Sequence, residues 1–184
     1  MLDELNKQLN DLEQGYLQTL NGVGSAHFML QNFPGSYVAF SRLSDEAGSG
    51  HEGRPTFLHN TVVSAAQIER WSEAYQYGKQ FLDEFPDHEL KPAVARVLVQ
   101  LLFLREAYDA AFTVSGAARQ HMESGSEIRD IPAFVYCAAP FHLGDMDTAQ
   151  TDLPSYFPTY PAGASTELMH FLLCRHTVHL RHWE

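Results

Sequence analysis

Residues 141–161 read FHLGDMDTAQTDLPSYFPTYP, and the fold turns on them. Leu143-Gly144-Asp145 makes a turn, and Met146 to about Phe157 reads as helix, distorted by Pro154. FPTYPAGAS, residues 157–165, is a loop. The small residue Ala149 stands inside that helix, with the large Met146 three positions before it and Tyr156 seven after.

The same frame recurs upstream. Ala74 and Ala111 precede Ala149 at spacings of 37 and 38 residues. Three residues before them stand Trp71 and Tyr108, and seven after stand Phe81 and Ala118. Twelve after the three alanines stand Pro86, Glu123 and Pro161. Repetition at this period implies a supersecondary unit that buries its apolar face against the next copy. A small residue is needed where two helices cross closely, and bulky neighbours fill the groove toward the next pair.

The intervening segments support helices. Trp71, Ala74, Tyr75, Gly78, Phe81, Leu82 and Phe85 fall on one helical stripe that Pro86 ends. Further helices are expected over Pro92–Leu104 and Glu106–Met122. MESGSEIRD, residues 122–130, reads as a turn. Ile131 opens another helix, which Pro140 must kink or end, and Thr166–His182 forms the last.

The frame resembles the tetratricopeptide repeat, a helix-turn-helix unit of about 34 residues. The likeness covers roughly residues 56–161. Residues 141–161 carry it best, with WSEAYQYGKQFLDEFP, residues 71–86, close behind; the middle unit has Glu123 in place of the closing proline. The resemblance implies an all-α solenoid of about three antiparallel helix pairs, preceded by an N-terminal amphipathic helix and capped by a C-terminal one. The expected organisation is residues 1–55, an N-terminal helix with a Gly-rich irregular segment, and residues 56–184, the repeat domain. A more general stack of α-hairpins remains the alternative.

Residues 1–55 have no repeat signal of this kind. Leu2, Leu5, Leu9, Leu12 and Tyr16 alternate spacings of three and four, about two heptads of one helical stripe. That stripe either packs on its own domain or grips a partner, and a homodimer through this helix is the corresponding expectation. Residues 22–55 hold NGVGS, FPGS and GSGHEGRP. One or two short helices are expected there, with a mobile loop over 44–55; a hairpin at SYVAFSRL is an open alternative.

Charge narrows the partner. The net charge is -11, and the twelve Lys and Arg are scattered. Nucleic acid and anionic membranes require concentrated basic surface, so neither is expected. A basic protein or peptide is easier to attract. No apolar run approaches the roughly 20 residues of a membrane span. The N-terminal MLDELNKQLNDLEQ lacks a signal-like apolar stretch, so the expected compartment is the cytoplasm. Cys137 and Cys174 do not make a disulfide framework and are expected as buried thiols.

Phosphate-loop, dinucleotide, nucleophile-elbow and H-E-x-x-H patterns are all missing, and no catalytic residues are expected. The loop segment with His51, Glu52 and Arg54 is the one candidate lid for an enzyme. In the last helix, His170 and Cys174 share a face and could grip zinc, while His176, His179 and His182 step along a different arc. The competing reading packs His170 and Cys174 in the core with the others in solvent; no cofactor is otherwise expected.

The expected function is therefore a protein-binding scaffold, adaptor or assembly subunit. Fold analogy places the binding positions on the exposed edges of the first helices, at Arg96, Gln100, Arg105 and His142, with Tyr156 and Tyr160 as groove aromatics. The alternatives are a chaperone similar in layout to secretion chaperones of the tetratricopeptide type, and a metal- or haem-binding module using the histidine-rich last helix.

Overall fold

A computed structural model of the chain describes residues 1–120 and 127–181, leaving out the side chains of residues 127, 128, 176 and 179–181. The described residues form nine α-helices and no strand. They divide into two compact units, Met1–Lys91 and Pro92–Glu184.

The first unit holds α1 (Leu2–Met29), α2 (Phe33–Glu46), α3 (Arg54–Gln67) and α4 (Trp71–Glu84), each packed on the next. Leu17, Phe40, Leu43, Ala47 and Phe57 form one core cluster. Between α2 and α3 the buried contact is partly polar: the Ser36 and Ser64 hydroxyls lie 2.9 Å apart, and those of Ser44 and Thr61 3.0 Å apart. The Thr61 hydroxyl also donates to the Phe57 carbonyl at 2.8 Å.

The second unit holds α5 (Lys91–Leu104) from Pro92 onward, α6 (Tyr108–Gln120), α7 (Glu127–Leu143), α8 (Met146–Ser155) and α9 (Thr166–Arg181). Its core runs from Val99 and Leu102 through Ala111, Phe134, Ala138, Ala149 and Leu153 to Met169 and Leu172. α9 packs on α7 and α8.

The repeat frame is confirmed at its anchor residues. Ala74, Ala111 and Ala149 are fully buried, and Phe81, Ala118 and Tyr156 are buried seven residues further on. The structure adds a pair that the sequence frame missed. Gln31, Glu69, Glu106 and Gly144 all adopt positive φ, between 56° and 79°. In each case the following amide donates to a carbonyl five residues back: Asn32 to His27, Arg70 to Ala65, Ala107 to Leu102 and Asp145 to Pro140. This bond closes one helix on a left-handed residue and releases the chain into the next. The small residue five positions after each turn residue, Ser36, Ala74, Ala111 or Ala149, opens the next helix's hydrogen-bond ladder. The pairs are therefore α1/α2, α3/α4, α5/α6 and α7/α8.

Several expectations are corrected. Residues 22–46 are helical almost throughout, and SYVAFSRL lies within α2 rather than in a hairpin. The boundary expected at residues 55/56 falls inside the first unit, where α3 is beginning. α7 begins at Glu127, within the stretch read as a turn; residues 121–126 lie outside the described ones. Pro140 does not end α7, which runs on to Leu143. Each proline removes its own amide bond and crowds the carbonyl four residues back, yet α7 stays helical through both Pro132 and Pro140.

The expected lid at 44–55 is also corrected. α2 extends to Glu46, and Arg54 is already the first residue of α3. The Arg54 guanidinium is buried; it donates to both carboxylate oxygens of Glu84, at 2.7 and 3.0 Å, and to the carbonyls of Ser44 and Ala47. His51 is turned inward: its Nδ1 accepts from the Gly53 amide at 3.0 Å and its ring packs on Phe57.

Candidate protein-binding surface

The second unit carries a cleft of about 590 Å³. Arg96 of α5 lines it, with Asp130 and Ile131 of α7 and the loop from Thr159 to Ala164. Arg96 is exposed and one turn of α5 before the equally exposed Gln100, while neighbouring Val94, Ala95, Leu98 and Val99 face inward. This is the 3.6-residue pattern at work: alternate arcs of one helix serve the core and the cleft.

The loop is held from beneath by a buried polar knot. The Asp130 carboxylate accepts from the Tyr156 hydroxyl, from the Ser165 amide at 3.2 Å and from the Ser165 hydroxyl at 3.3 Å. Burial raises the pKa of the Tyr156 phenol, and the Asp130 carboxylate pushes it the same way. Gly163 passes directly over the knot. A Cβ there would stand 2.6 Å from Asp130 Oδ1 and 2.8 Å from the Tyr156 oxygen. The Thr166 hydroxyl donates to the Tyr160 carbonyl at 3.0 Å and pins the far end of the loop to α9.

Of the six binding positions named from the sequence, Arg96 and Tyr160 line this cleft. Tyr156 does not serve as a groove aromatic. It is 1% exposed and occupies the repeat position of Phe81 and Ala118, a site that fills the space between helices. Tyr160 is buried too, stacked on Tyr156 with ring centroids 5.1 Å apart. Arg105 is exposed just beyond the end of α5. His142 belongs to a separate aromatic group, stacked 4.4 Å from Tyr108 and edge-on to Phe103. Burial lowers its pKa, and Arg175 acts in the same direction. Asp130 and Gly163 were not singled out in the sequence, since nothing local marks a carboxylate whose partners lie 26 and 35 residues away.

His170 and Cys174 are both exposed on α9, which overturns their assignment to the core. The His170 ring lies 4.3 Å from that of Phe157. The side chains of His176 and His179 and the whole of His182 are outside the described residues. Among the described residues no three His, Cys, Asp or Glu side chains gather into a metal-sized group. Cys137, by contrast, is buried, and burial raises its thiol pKa. No described helix is long and apolar enough to cross a membrane.

These features define an all-α protein of helical-hairpin repeats. The particular fold is that of the tetratricopeptide repeat. The MamA RS-1 ArsTM double mutant superposes with a TM-score of 0.70 at 10% identity, over 91% of this chain and 90% of that one. Pseudomonas aeruginosa PilF superposes with a TM-score of 0.63 at 16% identity, over 84% of this chain and 65% of its own. Both are tetratricopeptide-repeat proteins. No family model matches the chain. No curated protein matches it either.

Proposed function

We propose that this chain is a protein-binding scaffold or adaptor, without catalytic activity, that works in the cytoplasm as part of a larger assembly. The cleft beside Arg96 carries the reading. It joins an exposed guanidinium to apolar side chains and a loop fixed by the Asp130 knot. A mainly apolar hollow edged by the Arg96 guanidinium, with Asp130 and Thr159 also in its lining, suits an extended peptide that sets a side chain in the hollow and an acceptor against Arg96. The net charge of -11 favours a partner that is basic overall, because the long-range field steers the encounter while the single arginine fixes the pose.

The test is a native pull-down with the wild-type chain, Arg96→Glu and Ala162→Trp. Ala162 is exposed on the cleft wall, so the tryptophan fills the hollow without disturbing the core. A stoichiometric partner lost from both variants is the expected result. Absence of any partner, or a partner held equally by all three proteins, defeats the reading.

A further inference from the structure

The first helix pair leaves one face of α1 without a neighbour. α1 has 28 residues and α2 has 14, so about half of α1 projects past its partner, roughly 21 Å at 1.5 Å per residue. Every residue from Met1 to Tyr16 is exposed. The projecting half nonetheless carries an apolar seam: Leu2, Leu5, Leu9 and Leu12 are 74%, 55%, 63% and 73% exposed, and Tyr16 follows. The seam continues in phase along the rest of the helix through the exposed Thr19, Val23 and Ala26. α1 meets α2 by a different arc, which includes Leu17, Leu20 and Gly24. A helix of about 15 residues with no tertiary support is marginal in water. Four exposed leucines in heptad phase are the means by which another helix would supply that support.

The charges around the seam decide its occupant. With Leu2 and Leu9 at the first heptad position and Leu5 and Leu12 at the fourth, the flanking positions hold Asn6, Gln8, Glu13 and Gly15. Asp3, Glu4, Lys7 and Asp11 fall on the outer positions. A basic partner would find only one flanking acid to pair with. An anionic lipid surface would meet four acids and one lysine. A second copy of this helix meets an apolar strip with almost uncharged margins.

Orientation follows from the same residues. Parallel copies would set the acids at the same levels on both helices and align the helix dipoles unfavourably. Antiparallel copies place Leu9 against Leu12 and Leu5 against Tyr16. The acidic first turn of one copy then approaches the Arg42–Glu46 ion pair of the other (2.7 Å), whose guanidinium lies 5.4 Å from the centroid of its own Tyr16 ring. We propose that the protein forms an antiparallel homodimer through the exposed leucine seam of α1, independently of the Arg96 cleft.

The test is sedimentation equilibrium on the full chain, with Leu9→Asp as the variant. The wild type is expected to run at twice the chain mass. Leu9→Asp is expected to weaken dimerisation by at least about 100-fold while its far-ultraviolet circular dichroism is unchanged apart from the first turns of α1. Mixed disulfides then report orientation in a Cys174→Ser background, where only the buried Cys137 remains. Chains carrying Leu5→Cys should link to chains carrying Tyr16→Cys and not to themselves. A monomeric wild type, or a dimer indifferent to Leu9→Asp, overturns the proposal. Self-linked Leu5→Cys chains overturn the antiparallel arrangement.

Discussion

Arg54 and Glu84, thirty residues apart, meet as a two-point ion pair that binds the start of α3 to the end of α4. The same guanidinium satisfies the carbonyls of Ser44 and Ala47, where α2 ends. One side chain therefore ties three helix ends together. Arg54→Ala should destabilise the first unit by about 3 kcal/mol, since it leaves buried carbonyls without donors. Arg54→Lys should recover little, because an ammonium group cannot reproduce the fork. Urea unfolding of the full chain reads both effects.

The pair also sets an acid limit. The hydrogen bonds from Arg54 lower the Glu84 pKa from its ordinary 4.5. The folded value lies below the unfolded one, so this stabilisation is present above about pH 4.5 and is lost as pH falls through the folded value. Glu84→Gln should lower stability at neutral pH by about 1 kcal/mol and flatten the acid side of the stability profile. A pH series of denaturation midpoints for the two proteins gives the comparison.

The turns predict effects of opposite sign. Glu69 and Glu106 hold left-handed backbone that costs a side-chain-bearing residue roughly 1 kcal/mol or more. Glu69→Gly and Glu106→Gly should each raise stability by about 0.5 kcal/mol after the entropy cost of glycine is subtracted. Gly144→Ala should lower it by about 1 kcal/mol, with φ at 79° and no clash to confuse the result. Calorimetric melts of the three variants decide it.

Beneath the cleft, Tyr156→Phe removes a buried donor to Asp130 and should cost about 1–3 kcal/mol. The tyrosine pKa is raised, so its contribution holds below about pH 10 and is lost as pH rises toward the folded value. Gly163→Ala should displace the loop and impair partner capture more than Tyr160→Phe, which retains the ring. Alkaline stability profiles and the pull-down separate the two effects.

The thiols should differ in reactivity. Cys174 is exposed and should react at once with a disulfide reagent, whereas the buried Cys137, its pKa raised, should react only on unfolding. A thiol count before and after denaturant checks this.

The fold was legible where a residue type carries its own geometry. Ala74, Ala111 and Ala149 mark close crossings because little else fits there. The first pair escaped because Ser36 stands at that position, where a serine reads equally well as loop or surface. Tyr156 was misplaced because spacing cannot tell an aromatic that fills a core from one that lines a groove. Arg54 and Asp130 were beyond reach for a simpler reason. Each is defined by partners far along the chain, and no local pattern records such a meeting.

The hydroxyl pairs between α2 and α3 bear on how a repetitive chain avoids assembling in the wrong order. Helix pairs of one pattern have interchangeable apolar faces, and misassembly between similar units is a characteristic hazard of repeat proteins. Ser36 with Ser64 and Ser44 with Thr61 make this junction unlike a purely greasy one. Any other helix docked there, or this one slid by a turn, would strand the hydroxyls of Ser36, Ser44 and Ser64 in a dry setting, while Thr61 keeps the carbonyl of Phe57 in its own helix. The junction thus works as an address, legible only to the neighbour whose own hydroxyls arrive at the matching places.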